Sequence, residues 1–263
     1  MGAHFIVLIL SLLIAGTAAA AVPGKGSQCF SCHKPHYTDK GPCTSCHRGD
    51  DRTTRLTIAH HNFIPGRYAF FAFSTSQQVK TGQRLIDTFA CRRCHTVRGR
   101  GNNFAANLDR LFWTTAPHMI EAAITSPAIY MPDFRFNERQ RVALVNALEA
   151  GGRKAGAQPV ETAQIVHFAG SSAHGQNRFE KKCGGCHKVL SKSLGGLGVG
   201  DIGPNLSGLF SEFYPATFPK NQRWTEENLR KWLQNPRKVR TNSLMRPVLL
   251  EKEELKEVIR MLR

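Results

Sequence analysis

Acid is scarce in this sequence relative to base. Its 263 residues carry 19 Asp+Glu against 36 Lys+Arg, a formal charge of +17. Methionine is also scarce, with five in the chain and none between Met1 and Met119. Past the N-terminus no apolar run approaches the length of a bilayer crossing, which excludes multi-span membrane architectures. No paired carboxylates, Ser/His/Asp set or phosphate loop stands out, so the common hydrolytic and nucleotide-driven chemistries have no footing. Apolar residues at 41% and charged residues at 21% are ordinary for a folded protein, which excludes disorder and collagen-like classes. The length allows one large domain or two to three small ones.

The N-terminus reads as a targeting segment. Phe5 to Gly16 is a short apolar core, and small residues follow from Thr17 to Ala21. Ala18 with Ala20, or Ala19 with Ala21, gives the small-x-small pattern that a signal peptidase accepts. The leading Met1-Gly2-Ala3-His4 carries no Lys or Arg, a departure from the usual pattern. The alternative is an uncleaved anchor over Phe5–Val22, and its alanine-rich half is weakly apolar for that role. The expectation is a signal peptide over 1–21 and an exported, water-soluble periplasmic chain, membrane-associated if the segment is retained.

Eight cysteines in an exported chain would ordinarily form a disulfide framework. Their spacing argues otherwise. They fall into four C-x-x-C pairs, Cys29/Cys32, Cys43/Cys46, Cys91/Cys94 and Cys183/Cys186, each followed at once by a histidine: His33, His47, His95 and His187. By chance that coincidence has a probability on the order of a few in a million. C-x-x-C-H is the attachment signature of c-type haem. Two thiols on one helical turn reach the two vinyl groups of a single porphyrin, and the adjoining imidazole becomes the proximal iron ligand. A zinc ribbon over Cys29, Cys32, Cys43 and Cys46 would not explain a histidine after every pair. Thioredoxin-like redox pairs want a βαβ setting that this sequence lacks. Four covalently bound haem c groups are expected, at roughly sixty residues per haem, so that the cofactors form much of each core.

Three haem-bearing regions follow along the chain. Residues 22–74 hold two motifs, little apolar periodicity and no long helix, and should need porphyrin to fold. They end in an aromatic stretch, Tyr68, Phe70, Phe71 and Phe73, read as packing against a haem or the next domain. Residues 79–150 turn helical: Leu85, Ile86 and Phe89 sit at helical spacing before the third motif. A helix over Met119–Ile124 and the sequence Pro127, Tyr130-Met131-Pro132 come next. The helix Asn137–Ala150 follows, with Gly151-Gly152 as its stop. Residues 151–159 read as a linker. Over 160–263 the plan repeats. The fourth motif leads to Gly203-Pro204-Asn205-Leu206, a helix from Thr225 with an N-cap and acidic first turn, Asn235-Pro236, Met245, and a closing helix over Glu251–Leu262.

On these residues both later regions resemble class I cytochrome c domains, about two thirds of the chain. The fold class expected is therefore mainly α, with a haem-organised dihaem segment of little regular structure ahead of two helical domains. The resemblance implies a methionine thioether opposite the proximal histidine: Met131 in the middle domain and Met245 in the last. It also implies that Pro204 offers its carbonyl to His187. Gly99-Arg100-Gly101-Asn102-Asn103 offers no such proline, so the partner of His95 stays open, and His118 stands as the alternative to Met131. Met119 and Met261 read as packing.

The first region has no methionine, so its two irons need imidazoles. His36, His60 and His61 are the three candidates, one more than required. The segment resembles a fragment of the small class III multihaem cytochromes, in which both axial ligands are histidine. Gly198-Val199-Gly200-Asp201-Ile202-Gly203 matches G-x-G-x-x-G, yet it follows a haem motif rather than a strand, so a dinucleotide site is not expected.

Haem propionates offset the charge by roughly one to two units per haem and leave a cationic protein. Between Asn228 and Leu250 there is no acid, while Arg230, Lys231, Arg237, Lys238, Arg240 and Arg246 bracket Met245. Such a rim suits an acidic redox protein, a membrane quinol oxidoreductase or an anionic membrane surface, and not nucleic acid. The expected role is electron relay from low-potential bis-histidine haems to His/Met haems. The alternative is a multihaem reductase or peroxidase with one open coordination site.

Overall fold

The computed structural model describes residues 26–73, 75–157, 159 and 177–263. The leader expected over 1–21 and the start of the last region, 160–176, lie outside the described residues. Two compact units divide the chain at His61/Asn62. Each is described by itself. Among the described residues no helix is long and apolar enough to cross a membrane.

The Met1–His61 unit has only short turns: 3-10 turns at Gln28–Ser31 and Thr38–Lys40, and one-turn helices α1 (Thr44–His47) and α2 (Leu56–Ala59). Not one of its described residues is buried. Backbone hydrogen bonds hold its course, with the Gln28 amide donating to the Asp51 carbonyl at 2.7 Å and the Asp50 amide to Ala59 at 3.0 Å. Phe30, Leu56 and Ile58 stand exposed. A segment that buries no side chain gains almost nothing from the hydrophobic effect to offset its ordering entropy.

The Asn62–Arg263 unit is mainly α, and its first lobe is built on one long helix. Its helices are α3 (Gln77–Thr88), α4 (Leu111–Thr114), α5 (Pro117–Thr125) and α6 (Glu138–Ala155). Ser76 caps α3 by accepting from the Val79 amide, and Asn137 with Gln140 forms a reciprocal capping box on α6. Helix α6 is buried nearly throughout, from Val142 to Leu148, and α3 lies along it. Gly82 permits that approach, since a Cβ there would strike the Ala143 carbonyl.

Here the structure departs from the pattern reading. Gly151 and Gly152 do not stop the helix; α6 continues to Ala155 and ends before Gly156 at φ +74°. Gly152 is buried against α4, where a Cβ would lie 2.7 Å from the Phe112 Cβ and 2.8 Å from the Asp109 carbonyl. It is a packing glycine. The first five residues of the expected linker, up to Ala155, are thus helical. The aromatic stretch belongs to this unit rather than the first, as the 3-10 helix Gly66–Ala72 laid on α6. Asn146, fully buried, ties it down: its Oδ1 accepts from the Phe71 amide and its Nδ2 donates to the Arg67 carbonyl, both at 2.9 Å. Glu121 on α5 accepts from Tyr68 Oη, from Arg67 Nη2 at 2.8 Å and from Arg141 Nε at 3.2 Å. Met119 was expected to pack, but it lies on the open face of α5 at 56% exposure, whereas Met261 is 3% exposed in the core.

The second lobe comprises a widened helical turn at Glu180–Gly184, an antiparallel hairpin of β1 (Val189–Ser191) and β2 (Gly195–Leu197), then α7 (Glu226–Gln234), α8 (Pro236–Val239) and α9 (Lys252–Met261). Val189 pairs with Leu197 across the hairpin. Thr225 caps α7 by accepting from the Asn228 amide, with Glu226 and Glu227 in the first turn. Phe179, Val189, Leu197, Leu229 and Val258 form its core.

Truncating Asn146 to Ala leaves the Phe71 amide and Arg67 carbonyl without their partner, and should cost about 1–3 kcal/mol of unfolding free energy, read by denaturant titration. Burial opposes the Glu121 charge, but the hydrogen bonds from Tyr68 and Arg141 and the Arg67 charge prevail and hold its carboxyl below the ordinary range. A depressed folded-state pKa stabilises above the unfolded value and is lost as pH falls through the folded one. The stability gap between the protein and its Glu121→Gln variant should therefore be widest near neutrality and close on acidification below about pH 4. A gap that stays constant down that range would remove the ionic role.

Candidate functional site

All four motifs adopt one backbone form. The histidine amide donates to the carbonyl of the first cysteine at 2.9 Å in His33, His47 and His187 and 3.0 Å in His95. The second cysteine amide donates to the same carbonyl at 3.0–3.2 Å. One turn thereby carries two sulfurs and an imidazole, at sequence positions far apart and in both units. No disulfide joins any of the eight cysteines. Burial pushes Cys91 and Cys183 up to about 11, so they are neutral near pH 7. Burial, then the neighbouring Cys29, pushes Cys43 up as well. Among the described residues no group of three or more His, Cys, Asp or Glu is placed to hold a metal ion.

The later two imidazoles are held alike. His187 Nδ1 bonds the Pro204 carbonyl at 2.8 Å, as the proline in that position led us to expect. His95 Nδ1 makes the same bond, also 2.8 Å, to the carbonyl of Ala106. The loops superimpose bond for bond. Ala105 donates to Cys94 and Gly203 to Cys186; Leu108 donates to Thr96 and Leu206 to Lys188. Ala105-Ala106-Asn107-Leu108 is thus the counterpart of Gly203-Pro204-Asn205-Leu206. The missing proline cost nothing, because the acceptor is a main-chain oxygen. In each case the carbonyl bond fixes the orientation of the ring.

The dinucleotide-like glycines have another duty. A Cβ at Gly198 would strike the His187 carbonyl, one at Gly200 the Gly185 carbonyl, and one at Gly203 the His187 ring. They line the turn of the fourth motif. Gly198 also needs left-handed backbone, at φ +77°. In the other lobe Gly101 meets the His95 carbonyl in the same way, at φ +135°. Carboxylates pin both loops: Asp109 accepts from the Arg98 and Gly99 amides at 2.6 and 2.7 Å, and Glu180 from the Gly198 amide at 2.9 Å.

In the first unit two of the three candidate histidines lie beside motif histidines. The His33 and His60 ring centroids lie 6.0 Å apart, with planes at 80°. Those of His36 and His47 lie 5.6 Å apart, with planes at 46°. Two imidazoles that each place a nitrogen about 2 Å from one metal ion have ring centroids about 6 Å apart. His60 Nδ1 bonds the Leu56 carbonyl at 3.0 Å, the same arrangement seen at His95 and His187. His61, the next residue, is exposed.

Met131 and Met245 are each half-buried. Met131 sits on a turn in which its amide donates to Ala128 at 2.8 Å. Met245 packs on the C-terminal core, and its sulfur accepts from Trp232 Nε1 at 3.0 Å. His118, the alternative ligand, is exposed on α5. Val199, Ile202, Leu244 and Leu249, close in sequence to the fourth motif or to Met245, are 63–91% exposed. Apolar side chains so open want a cover. No protein-family model matches the chain, and no solved structure matches it either.

Two glycines close in sequence make a contrast. A Cβ at Gly185, between the cysteines, meets nothing within 4 Å, whereas one at Gly203 meets the His187 ring. Gly185→Ala should be silent in a thermal melt, and Gly203→Ala should cost about 1–3 kcal/mol. Equal effects would mean that the ring is not held where the Pro204 bond puts it.

Proposed function

We propose that the protein is a tetrahaem c-type cytochrome that relays electrons, with two class I cytochrome c-like domains after a bis-histidine dihaem segment. The observation that carries this reading is the fourfold recurrence of one Cys-x-x-Cys-His turn, with His95 and His187 each oriented through Nδ1 by a main-chain carbonyl. The residues fit the group in three further ways. The described residues of the first unit bury no side chain, so a porphyrin on each motif would supply a core. Its paired imidazoles have the spacing of axial pairs. The exposed apolar side chains close in sequence to the fourth motif and to Met245 match a hydrophobic ring's need for contact.

Cys29/Cys32, Cys43/Cys46, Cys91/Cys94 and Cys183/Cys186 would hold the four groups by thioether bonds. His33, His47, His95 and His187 would each ligate the iron of their own motif, and His60, His36, Met131 and Met245 would supply the second ligand to each in turn. When bound, such a group supplies one-electron chemistry at iron. The chain supplies saturated coordination, which favours transfer through the ring edge over substrate binding at the metal. Thioether ligation raises the potential relative to two imidazoles, so electrons enter at the first pair and leave through the His/Met pair.

Exposed Arg230, Arg237, Lys238 and Arg246 around Met245 suit an acidic redox protein or the acidic face of a quinol-oxidising membrane complex. The apolar N-terminal run supports export to the periplasm.

Mass spectrometry of the denatured protein should give the mature chain plus four haems, with no titratable thiol. His60→Ala should convert one low-spin haem to high-spin in the oxidised spectrum, and His61→Ala should leave the spectrum unchanged. The reverse pattern would exchange the two histidines. Free thiols or bound zinc in the native protein would end the reading, and a high-spin haem in the unmutated protein would favour a reductase or peroxidase.

A further inference from the structure

The two lobes of the Asn62–Arg263 unit meet around their cysteine motifs. Arg93, between Cys91 and Cys94, donates to the Asn205 carbonyl at 3.2 Å and lies 5.7 Å over the Tyr214 ring. Asn205 is where the contacts converge. Its Oδ1 accepts from the Ser207 amide at 3.0 Å, which shapes the loop whose Pro204 carbonyl holds His187. Its Nδ2 reaches into the other lobe and donates to the Tyr130 carbonyl at 2.9 Å. The Tyr130 ring lies on Gly196 of β2 so closely that a Cβ at Gly196 would collide with it.

Tyr130 is joined by a peptide bond to Met131. Pro127 and Pro132 flank this segment and deny it a helix ladder that would fix it from within. A short turn through the Met131 amide is its local support. Its side-chain and carbonyl anchors come from the lobe of the fourth motif. Met245, in contrast, is held by its own lobe, through Trp232 and Ser243.

We propose that the C-terminal lobe positions Met131: Asn205 and Gly196 lock the Tyr130–Met131 segment in place, so the third site is completed across the lobe boundary. This rests on the reading of Met131 as the sixth ligand opposite His95. Asn205 is then a positioning residue for two sites at once, one through its Oδ1 and one through its Nδ2. The two sites are unequal: the fourth holds its methionine from within its own lobe, whereas the third loses its methionine if the boundary loosens.

The test uses the full-length haem-loaded protein. Asn205→Ser keeps an oxygen for the Ser207 amide but cannot reach Tyr130, and adds no charge. Gly196→Val displaces the Tyr130 ring by an independent route. The readout is the methionine-to-iron charge-transfer absorption of the oxidised protein, with haem count by mass. Each variant should retain four haems and lose half of that absorption. The double variant should lose no more than half, because both act on one ligand. In a redox titration one His/Met midpoint should fall while the other holds. Full absorption in both single variants would overturn the proposal, as would loss at both methionine centres. An unmutated protein showing one methionine centre, or none, would overturn the assignment of Met131 beneath it instead.

Discussion

The hydrogen bond from a histidine amide to the carbonyl of the first cysteine closes a single turn, and each lobe is arranged around it. The bond fixes two sulfurs and one imidazole on adjoining faces of a few residues. What surrounds the turn is largely backbone: a main-chain carbonyl on Nδ1, a glycine pressed against the histidine carbonyl, a carboxylate holding the amides of the following loop. Backbone contacts of this kind tolerate wide change of side chain. That is why Ala106 does the work of Pro204, and why the two lobes share a bond pattern with little identity in the loops that make it.

The same turn sits in two very different settings. In the second unit, helix α6 and the α7–α9 core bury their own apolar faces, and such burial contributes about 25 cal/mol per Å². The described residues of the first unit have the turns without the core. Fixing a backbone costs about 1–2 kcal/mol per residue, and none of these residues is buried to offset that. On the proposed reading the porphyrins would supply the missing core. His33 and His60 come from opposite ends of the unit, while His36 sits between the two motifs it separates. A group bound by both imidazoles of each pair would staple turns that otherwise have only backbone bonds between them.

Much of this was legible in the sequence, and the illegible part has a common physical cause. Motif spacing, the caps at Asn137 and Thr225, the closing helix and the lack of regular structure near the N-terminus all follow from local chemistry. The fates of Gly151 and Gly152 did not, because a glycine that ends a helix and one that admits a neighbour look alike until the neighbour is known. Phe112 and Asp109, some forty residues earlier, decide it. Ala106 gave no signal, because every residue owns a carbonyl. His60 and His61 are adjacent with equal chemistry, and what separates them is the end of α2, where the Leu56 carbonyl holds His60 Nδ1. The aromatic stretch was read as packing, and only the buried Asn146 shows on which element it packs.

On the proposed reading, ligand type and environment push the potentials the same way. His33 and His36 are exposed in a unit without buried residues, and water favours the more highly charged ferric state. Met245 is half-buried on an apolar core, and its sulfur accepts from Trp232, which draws electron density away from the thioether. A dry shell and a weakened donor both favour the ferrous state. The gradient from the first pair to the last site is thus set twice over, by which atom ligates and by what lies behind it. Met131 has the thioether but takes its support from Asn205 and Gly196 of the other lobe. The third potential is consequently the one that answers to the fit between lobes, while the fourth is insulated from it by holding its own methionine.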